Sequence, residues 1–260
     1  MKTKICCKVV EAPTSPLPSG FLEQLPEYFP CEGKTIYKGR NEIKIFQVNG
    51  QTVCVKKYGI PPRLNRLLYS WGLRTPKAER TYKNSQMILE RGFYTPRQYG
   101  YVLVRKNGQI YESFSVGEFI EPVRTVAQDK KDDKLVRAFA RFTADLHAHG
   151  LMHRDYILNN VLYTQENGQY RFTLIDINRF IFRKKPIRGF LRRINLMQPF
   201  PDKREMKRFV SYYQEFSHQA SPQLWRQVGQ LRGWRNVYSR LKRLLKKLPG
   251  ARFWTSGRMK

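Results

Sequence analysis

The chain has 260 residues, of which 41% are hydrophobic and 13% aromatic, enough for one large domain or two packed lobes and too apolar for wholesale disorder. Lysine and arginine number 49 against 20 acidic residues, a formal net charge of +29. Such an excess attracts polyanions, whether nucleic acid, an anionic membrane or a phosphorylated substrate. No apolar run reaches the roughly 18 residues of a membrane-spanning helix. Because the first 30 residues also lack a signal-peptide stretch, we expect a cytoplasmic protein.

The first 33 residues contain several prolines and no sustained periodicity, so we expect an extended lead-in there. The four cysteines of the chain have neither the spacing of a zinc site nor that of a disulfide framework. We interpret them as reduced thiols: Cys6, Cys7, Cys31 and Cys54.

Residues 34–121 are predicted to form a small lobe with an antiparallel sheet and one main helix. Runs of β-branched and aromatic residues indicate five strands, and helical spacing indicates a helix between the third and the fourth. The strands are placed at Thr35–Tyr37, Ile43–Phe46, Val53–Lys56, Gln98–Val104 and Tyr111–Glu118, and the helix at 77–91. Asn-Gly pairs at 49–50 and 107–108 favour tight hairpin turns, because both residue types tolerate a positive φ.

Residues 122–230 are predicted to form a larger, mostly helical lobe. Four apolar residues recur at spacings of four, three and four, which indicates one buried helix face: Leu135, Phe139, Phe142 and Leu146. Two short strands follow at Val161–Thr164 and Arg171–Ile175, separated by the turn Asn167-Gly168, and a basic helix and tail are placed at 231–260. The predicted fold class is therefore α+β with two lobes.

The residues with the clearest chemistry follow the helix of the larger lobe. The run His153-Arg154-Asp155 is followed by Asn160, the spacing of a kinase catalytic loop, and Asp176 comes directly after a buried strand. Phosphoryl transfer needs a carboxylate beside the acceptor hydroxyl and oxygen ligands for Mg²⁺. We therefore predict that Asp155 is the catalytic base, that Asn160 and Asp176 bind Mg²⁺, and that His153 and Arg154 support the loop.

The small lobe carries the candidates for binding ATP. Lys56 ends a Val-Cys-Val-Lys strand and is expected to contact the α- and β-phosphates, whereas Lys57 points to the opposite face. The acidic partner of Lys56 is assigned to Glu79 in the following helix, with Glu90 as the alternative.

Two further nucleotide contacts are predicted in this lobe. Gly39 lies between the first two strands and either closes over the phosphates or forms a plain turn, since one glycine stands where kinases have three. Glu118 and Ile120 stand where a kinase hinge offers backbone groups to adenine. The sequence Asp176-Ile177-Asn178 replaces Asp-Phe-Gly, which argues against a regulated signalling kinase.

From about residue 34 to 216 the sequence resembles the bacterial lipopolysaccharide core kinases, the Kdo/heptose kinase family with a protein-kinase-like fold. The most telling parts are Leu146-His147, Gly150 to Asp155, Asn160 and Leu174 to Arg179, and the pattern of residues 90–96 is also similar. The resemblance implies transfer of the ATP γ-phosphate to a Kdo or heptose hydroxyl of the lipid A–core region, at the inner face of the cytoplasmic membrane. It implies ATP and Mg²⁺ as cofactors and the same roles for Asp155, Asn160, Asp176 and Lys56.

Three basic segments have two interpretations each. An apolar stripe with Trp234 runs along a basic helix at Leu231–Leu248, which either lies on an anionic membrane or packs on the larger lobe. The segment Ile60–Leu73 is a second possible membrane contact or an ordinary packing helix. A basic run at 183–193 either binds phosphates and carboxylates of the acceptor or is merely solvated.

Two other functions remain open from the sequence. One is a phosphotransferase acting on a protein or a small cytosolic molecule, although a net charge of +29 does not suit cationic antibiotics as acceptors. The other is a basic RNA-binding protein on an inactive kinase scaffold. A pure binding protein has no need of all four residues Lys56, Asp155, Asn160 and Asp176, and no specific nucleic acid partner is expected.

Overall fold

The computed structural model describes residues 5–60, 63–121, 123–217 and 221–245. The chain divides into two compact units. The first contains the described residues up to Glu90 together with Thr95–Glu121, and the second contains Arg91–Tyr94 and the described residues from 123 onward.

The first unit is built on a six-stranded antiparallel sheet in the order β1-β5-β6-β4-β3-β2. Its strands are β1 (Ile5–Glu11), β2 (Lys34–Lys38), β3 (Glu42–Val48), β4 (Gln51–Lys57), β5 (Gln98–Lys106) and β6 (Gln109–Glu118). Its helices are α1 (Phe21–Cys31), α2 (Arg63–Ser70) and α3 (Lys77–Glu90). Alternation along the strands gives the sheet two apolar faces, and each of them is covered by a helix.

Residues 1–33 were expected to be extended, and this was wrong for the described part. Strand β1 pairs with β5 along its whole length, and α1 buries Phe21, Leu22, Leu25 and Phe29 against the sheet. The helix contains Pro26 and Pro30, and an interior proline costs about 3 kcal/mol. Burial of each large side chain contributes about 2 kcal/mol, so packing on the sheet outweighs the local preference of the sequence.

The two faces of the sheet are distinguished by neighbouring residues of one strand. Val102 and Val104 belong to the cluster beneath α1, whereas Tyr101 and Leu103 pack with Ala78 and Tyr82 of α3. The buried Lys44 ends in the α1 layer, where its Nζ donates to the carbonyl of Phe29 at 2.6 Å and to that of Glu32 at 3.0 Å. These bonds satisfy carbonyls at the end of α1 that have no partner within the helix.

The Asn-Gly hairpins occur where the sequence predicts them. Both residues of each pair have positive φ, with 50° and 76° at 49–50, 49° and 78° at 107–108, and 49° and 76° at 167–168. This is the left-handed conformation that two-residue hairpin turns require. The strand registers of β3–β4, β5–β6 and the later hairpin of the second unit depend on these turns.

The second unit is mostly helical. Its helices are α4 (Asp133–Ala148), α5 (Gly189–Leu196), α6 (Lys203–Phe216) and α7 (Leu224–Leu245). Its strands are β7 (Arg124–Thr125), β8 (Leu151–His153), β9 (Val161–Glu166), β10 (Gln169–Leu174) and β11 (Phe180–Phe182). Helix α4 is fully buried along Leu135, Phe139 and Leu146, and Phe139 contacts the rings of Tyr156, Phe172 and Phe209.

The C-terminal helix differs from the predicted one. Helix α7 begins at Leu224 rather than at 231, and Leu224 and Val228 are buried in the second unit while Trp234 is 75% exposed. The rest of the predicted stripe and tail, from 236 onward for side chains and from 246 for the backbone, lies outside the described residues. Among the described residues, no helix has the length and apolar character needed to span a membrane.

Candidate active site

The predicted catalytic loop begins on the buried strand β8. Gly150 precedes this strand with a φ of +72°, and a Cβ at its position would lie 2.2 Å from the carbonyl oxygen of Arg183. Only glycine fits this turn. Strand β8 pairs with β11, so that His153 lies opposite Phe180. Asp155 follows just after the C-terminal end of β8. The short 3₁₀ turn Leu158–Asn160 completes the loop.

His153 is fully buried and joins the loop to the strand before Asp176. Its Nδ1 accepts from the backbone N–H of Asp155 at 3.1 Å, so the ring proton lies on Nε2, which donates to the carbonyl of Ile175 at 3.0 Å. Burial lowers the pKa of His153, against the raising influence of that bond and of the carboxylates of Asp176 and Asp155. The ring is therefore neutral and acts as a fixed connector.

Ile175 connects to the loop at its other backbone group as well. Its N–H donates to the carbonyl of Asn160 at 3.0 Å, while its own carbonyl accepts from His153. The side-chain Nδ2 of Asn160 donates to the carbonyl of Asp155 at 2.9 Å. Asn160 therefore has its amide nitrogen committed to the loop, and its Oδ1 is the atom left to bind a ligand.

Asp176 adopts the left-handed conformation, with a φ of 52°. This is unusual for a residue other than glycine and is one form in which strain is held at functional sites. Its Oδ1 accepts from Nδ2 of the buried Asn178 at 2.8 Å, and its side chain is exposed. The backbone turn and the Asn178 contact together determine where the carboxylate points.

The donors that these bonds assemble suit Mg²⁺. They are a carboxylate and a neutral amide oxygen, and Mg²⁺ is usually held by one or two such protein ligands together with phosphate oxygens of a substrate. In the part of the chain that the structure describes, no three His, Cys, Asp or Glu side chains lie together in an arrangement that could hold a metal ion. A closed metal site made only of protein ligands is thus not found in those residues.

Asp155 makes an ion pair with Arg179. Nη1 of Arg179 lies 3.0 Å from Oδ1 and 2.9 Å from Oδ2 of the carboxylate. The backbone of Arg179 is held in place as well, because its carbonyl accepts from the N–H of Arg154 at 2.8 Å. This ion pair was not predicted from the sequence.

A buried polar network lies behind the loop. Asn195 Nδ2 donates to the carbonyl of His153 at 2.7 Å, so its Oδ1 accepts from Nε2–H of His147 at 2.9 Å. Nδ1 of His147 then accepts from the hydroxyl of Tyr213 at 2.9 Å. Burial lowers the pKa of His147 to about 4, which keeps the ring neutral. Helices α4, α5 and α6 each contribute one side chain to the positioning of His153.

In the first unit, alternation along β4 separates the two neighbouring lysines. Val53 and Val55 are buried on the α1 face, and Lys57 on that face pairs with Glu112 and lies 5.3 Å from the ring centre of Phe114. Lys56 is on the opposite face, the one covered by α3. The distinction between Lys56 and Lys57 expected from the sequence matches this placement.

The other candidates of the first unit lie around the same sheet. Glu79 stands in the first turn of α3, with its side chain mostly buried, and accepts from Lys83 at 2.6 Å with Lys8 at 3.9 Å. Gly39 lies in the β2–β3 turn, where its N–H donates to the carbonyl of Asn41 at 2.9 Å. The pairing of Glu79 with Lys56 and the contact of Gly39 with phosphate remain predictions.

Glu118 ends strand β6 opposite Val53 of β4. Its N–H donates to the carbonyl of Arg97 at 2.8 Å, and its carboxylate accepts from the N–H of Arg97 at 3.2 Å. Ile120 follows in an irregular, half-buried segment. Cys54, on the same strand as Lys56, has its pKa raised to about 11 by burial, so its thiol is neutral. The adenine contact of Glu118 and Ile120 stays a prediction.

The basic residues of the run at 183–193 differ in their exposure to solvent. Four of its residues are exposed: Arg183, Lys184, Lys185 and Arg188. Arg192 is buried instead and lies close enough to His147 to lower its pKa. The prediction that the whole run is available to an acceptor is therefore wrong for Arg192.

Sequence reasoning missed the residues that position the loop. Asn195, Tyr213 and Arg179 received no role, because their partners are 42, 66 and 24 residues away along the chain. One signal was present, since His147 stands beside Leu146 on the buried face of a predicted helix. A histidine in that position needs a polar partner.

Comparisons with known protein families and solved structures show what the chain is similar to. A model of the lipopolysaccharide kinase (Kdo/WaaP) family matches residues 38–213. No curated protein sequence matched. Among solved structures, WaaP in complex with acyl carrier protein has a TM-score of 0.53 and 19% identity, covering 92% of this chain and 98% of that chain. An ethanolamine kinase of Plasmodium vivax has a TM-score of 0.50 and 12% identity, covering 80% and 75%.

The structural likenesses show the fold, and they confirm the predicted two-lobed, kinase-like α+β architecture. The family model extends over more than half of the chain, from β2 to α6, and includes the catalytic-loop sequence and Asp176. The resemblance noted in the sequence is thereby confirmed, and the chain belongs to the lipopolysaccharide kinase (Kdo/WaaP) family.

Proposed function

We propose that this protein transfers the γ-phosphate of ATP to a sugar hydroxyl, Kdo or heptose, of the lipopolysaccharide inner core. The single observation that carries this proposal is the double attachment of Ile175. Its N–H bonds to Asn160 and its carbonyl to His153, which brings Asp176 to the loop that holds Asp155. A base and two oxygen ligands on one scaffold are what phosphoryl transfer requires.

Each of these residues has a distinct role in the proposed reaction. Asp155 orients the acceptor hydroxyl and receives its proton as the new phosphorus–oxygen bond forms. Asn160 Oδ1 and the Asp176 carboxylate would hold Mg²⁺, which when bound neutralises charge on the nucleotide phosphates. Lys56 contacts the α- and β-phosphates, and the backbone at Glu118 and Ile120 receives adenine. The Glu79 carboxylate, in the helix that covers the Lys56 face of the sheet, orients Lys56.

A lipid-linked acceptor is supported by charge and by exposed apolar residues. The net charge of +29 favours an anionic lipid surface. In the first unit, Trp71 and Leu73 are 69% and 72% exposed, directly after α2, and Ile60 is exposed as well. Solvent-exposed tryptophan and leucine beside basic residues are typical of contacts with a membrane interface. We therefore propose peripheral association with the inner face of the cytoplasmic membrane.

The deciding test is transfer of labelled phosphate from ATP to purified lipid A–core, with a protein and an RNA as alternative acceptors. The wild-type protein is expected to label lipid A–core. Asp155→Asn is expected to lower kcat by about a hundredfold or more, because a positioned base contributes that much. Its folded state is checked by circular dichroism and thermal unfolding.

Glu166→Gln serves as the matched control, since Glu166 is an exposed acidic residue at the end of β9. Its transfer rate should equal that of the wild type. Labelling of protein or RNA with none on lipid A–core would overturn the proposed acceptor. Full turnover by a folded Asp155→Asn protein would overturn the assignment of the base.

A further inference from the structure

The ion pair between Arg179 and Asp155 involves the residue that the proposed reaction uses as its base. One guanidinium nitrogen reaches both carboxylate oxygens, at 3.0 and 2.9 Å. Neither side chain is deeply buried, with 49% of Arg179 and 39% of Asp155 exposed. Hydrogen bonds to a carboxylate from a charged donor are among the stronger ones in proteins. An acceptor hydroxyl must therefore approach a carboxylate that already has a partner.

The backbone of Arg179 is held while its tip is accessible. Its carbonyl accepts from the N–H of Arg154 at 2.8 Å, and the next residue, Phe180, pairs with His153 in the β8–β11 ladder. The Cα of Arg179 thus stays beside the catalytic loop. The guanidinium, at the end of a long and half-exposed side chain, can exchange one oxygen partner for another without movement of the backbone.

The exchange requires a replacement anion. A guanidinium has five N–H donors and matches carboxylate and phosphate groups in geometry. A neutral hydroxyl cannot replace the Asp155 carboxylate as the anionic partner of the Arg179 guanidinium. An acceptor that carries a carboxylate or a phosphate next to the reacting hydroxyl supplies both the hydroxyl for Asp155 and the anion for Arg179.

We propose that Arg179 selects acceptors with an anionic group beside the reacting hydroxyl, and that it restrains Asp155 until such an acceptor binds. The inference rests on the proposed kinase function. In the transfer, the bond from the γ-phosphorus to the bridging oxygen of ATP breaks and a bond to the acceptor oxygen forms. The hydroxyl proton passes to Asp155 and ADP leaves. When water replaces the acceptor, the products are ADP and inorganic phosphate, and the restraint on Asp155 keeps this side reaction slow.

The test compares the wild type with Arg179→Gln and Arg179→Lys in the full-length protein. Three acceptors are used: intact lipid A–core, the same material freed of phosphates with hydrofluoric acid, and the same material with its carboxyl groups chemically reduced. Initial rates give kcat and KM for each acceptor, and ATP hydrolysis is measured separately without acceptor. Arg204→Gln, an exposed arginine on α6, is the matched control.

In Arg179→Gln, KM for intact lipid A–core should rise about tenfold or more, since a charge-assisted hydrogen bond is lost. On one of the two modified acceptors, Arg179→Gln and the wild type should have the same KM. The group removed from that acceptor, phosphate or carboxylate, is then the anion that Arg179 recognises. Acceptor-free ATP hydrolysis should rise several-fold. The KM and the hydrolysis rate of Arg179→Lys should lie between those of the wild type and Arg179→Gln, because lysine retains the charge without the planar geometry.

Unchanged KM and unchanged hydrolysis in Arg179→Gln would overturn the inference while leaving the kinase function in place. An equal fall in kcat for all three acceptors, with no change in KM, would show a structural role only and would also overturn it. Failure of the wild type to transfer any phosphate to lipid A–core would instead overturn the proposed function, and this inference with it.

Discussion

At the scale of single residues, Ile175 is the link between the parts of the site. It has no reactive side chain, but its two backbone groups bond to His153 and Asn160. The next residue, Asp176, is then placed by its left-handed φ of 52° and by Asn178. The backbone bonds of Ile175 fix the position of Asp176 next to the catalytic loop, and the bond from Asn178 to Oδ1 orients its carboxylate.

Replacement of Asp176 by asparagine should weaken Mg²⁺ binding. A neutral oxygen replaces a charged one, so the Mg²⁺ concentration for half-maximal phosphate transfer should rise about tenfold or more. Calorimetric titration of Mg²⁺–ATP gives a second readout that does not depend on turnover. Glu166→Gln is the control with an unchanged metal response. An identical Mg²⁺ dependence in Asp176→Asn would contradict the assigned ligand.

His147 should make stability depend on pH. Its pKa is about 4 in the folded protein against 6.5 for an ordinary histidine, so the unfolded chain binds the extra proton as pH falls. The contribution of neutral His147 to the free energy of unfolding is therefore fully present above pH 6.5 and is lost as the pH falls toward 4. Between pH 7 and pH 5 this group should remove about 2 kcal/mol from the free energy of unfolding.

Urea unfolding at pH 7 and pH 5 measures this effect. The loss on acidification should be smaller by that amount in His147→Gln than in the wild type, although the variant also starts from a lower stability. His149→Gln changes an exposed histidine nearby and should retain the wild-type pH dependence. The same acid-induced loss in His147→Gln as in the wild type would show that His147 is not the titrating group.

At the scale of elements, α1 is the part of the first unit that local sequence does not indicate. It covers the sheet face opposite α3 through Leu25, Phe29 and their neighbours. The family match begins at residue 38, after this helix, yet the Val53–Val55 face of β4 packs against it. Stability of the strand that carries Lys56 is therefore coupled to a segment outside the matched region.

Phe29→Ala should lower the free energy of unfolding by about 3 to 5 kcal/mol. The ring of Phe29 is buried, lies 5.3 Å from the ring of Phe114, and is approached by Lys44 and Lys57. Chemical denaturation measures the loss. Glu27→Ala changes an exposed residue of the same helix and should shift stability by less than about 0.5 kcal/mol. Equal effects of the two substitutions would mean that α1 does not cover the sheet in solution.

At the scale of the whole molecule, the excess of basic residues and the exposed Trp71 and Leu73 predict membrane association. The protein should sediment with vesicles that contain anionic lipid and should be released by salt, because electrostatic attraction is screened within a few ångströms at high ionic strength. Replacement of both residues by alanine should weaken binding about tenfold or more through lost apolar burial.

Tyr94→Ala removes an exposed aromatic residue of the second unit and is the control, with unchanged vesicle binding expected. Vesicles of neutral lipid should recover little protein. Absence of sedimentation with anionic vesicles at low salt would remove the membrane proposal, and equal losses in the control and the double variant would show that Trp71 and Leu73 make no specific contact.

The sequence was informative wherever the signal is local. The positions of β2 to β6 and of α3 and α4, the three Asn-Gly hairpins and the family were predicted, because periodicity, turn residues and the His-Arg-Asp spacing are properties of short segments. The separation of Lys56 from Lys57 followed from strand alternation for the same reason. The catalytic assignments remain predictions that the proposed experiments test.

Long-range packing decided the rest. Strand β1 and helix α1 form only because a distant strand and a sheet face stabilise them against unfavourable prolines and an exposed edge. The pairing of Arg179 with Asp155 and the chain of bonds from Tyr213 through His147 and Asn195 join residues far apart in sequence. A polar side chain acquires its role from the partner that folding brings to it, and no local pattern specifies that partner.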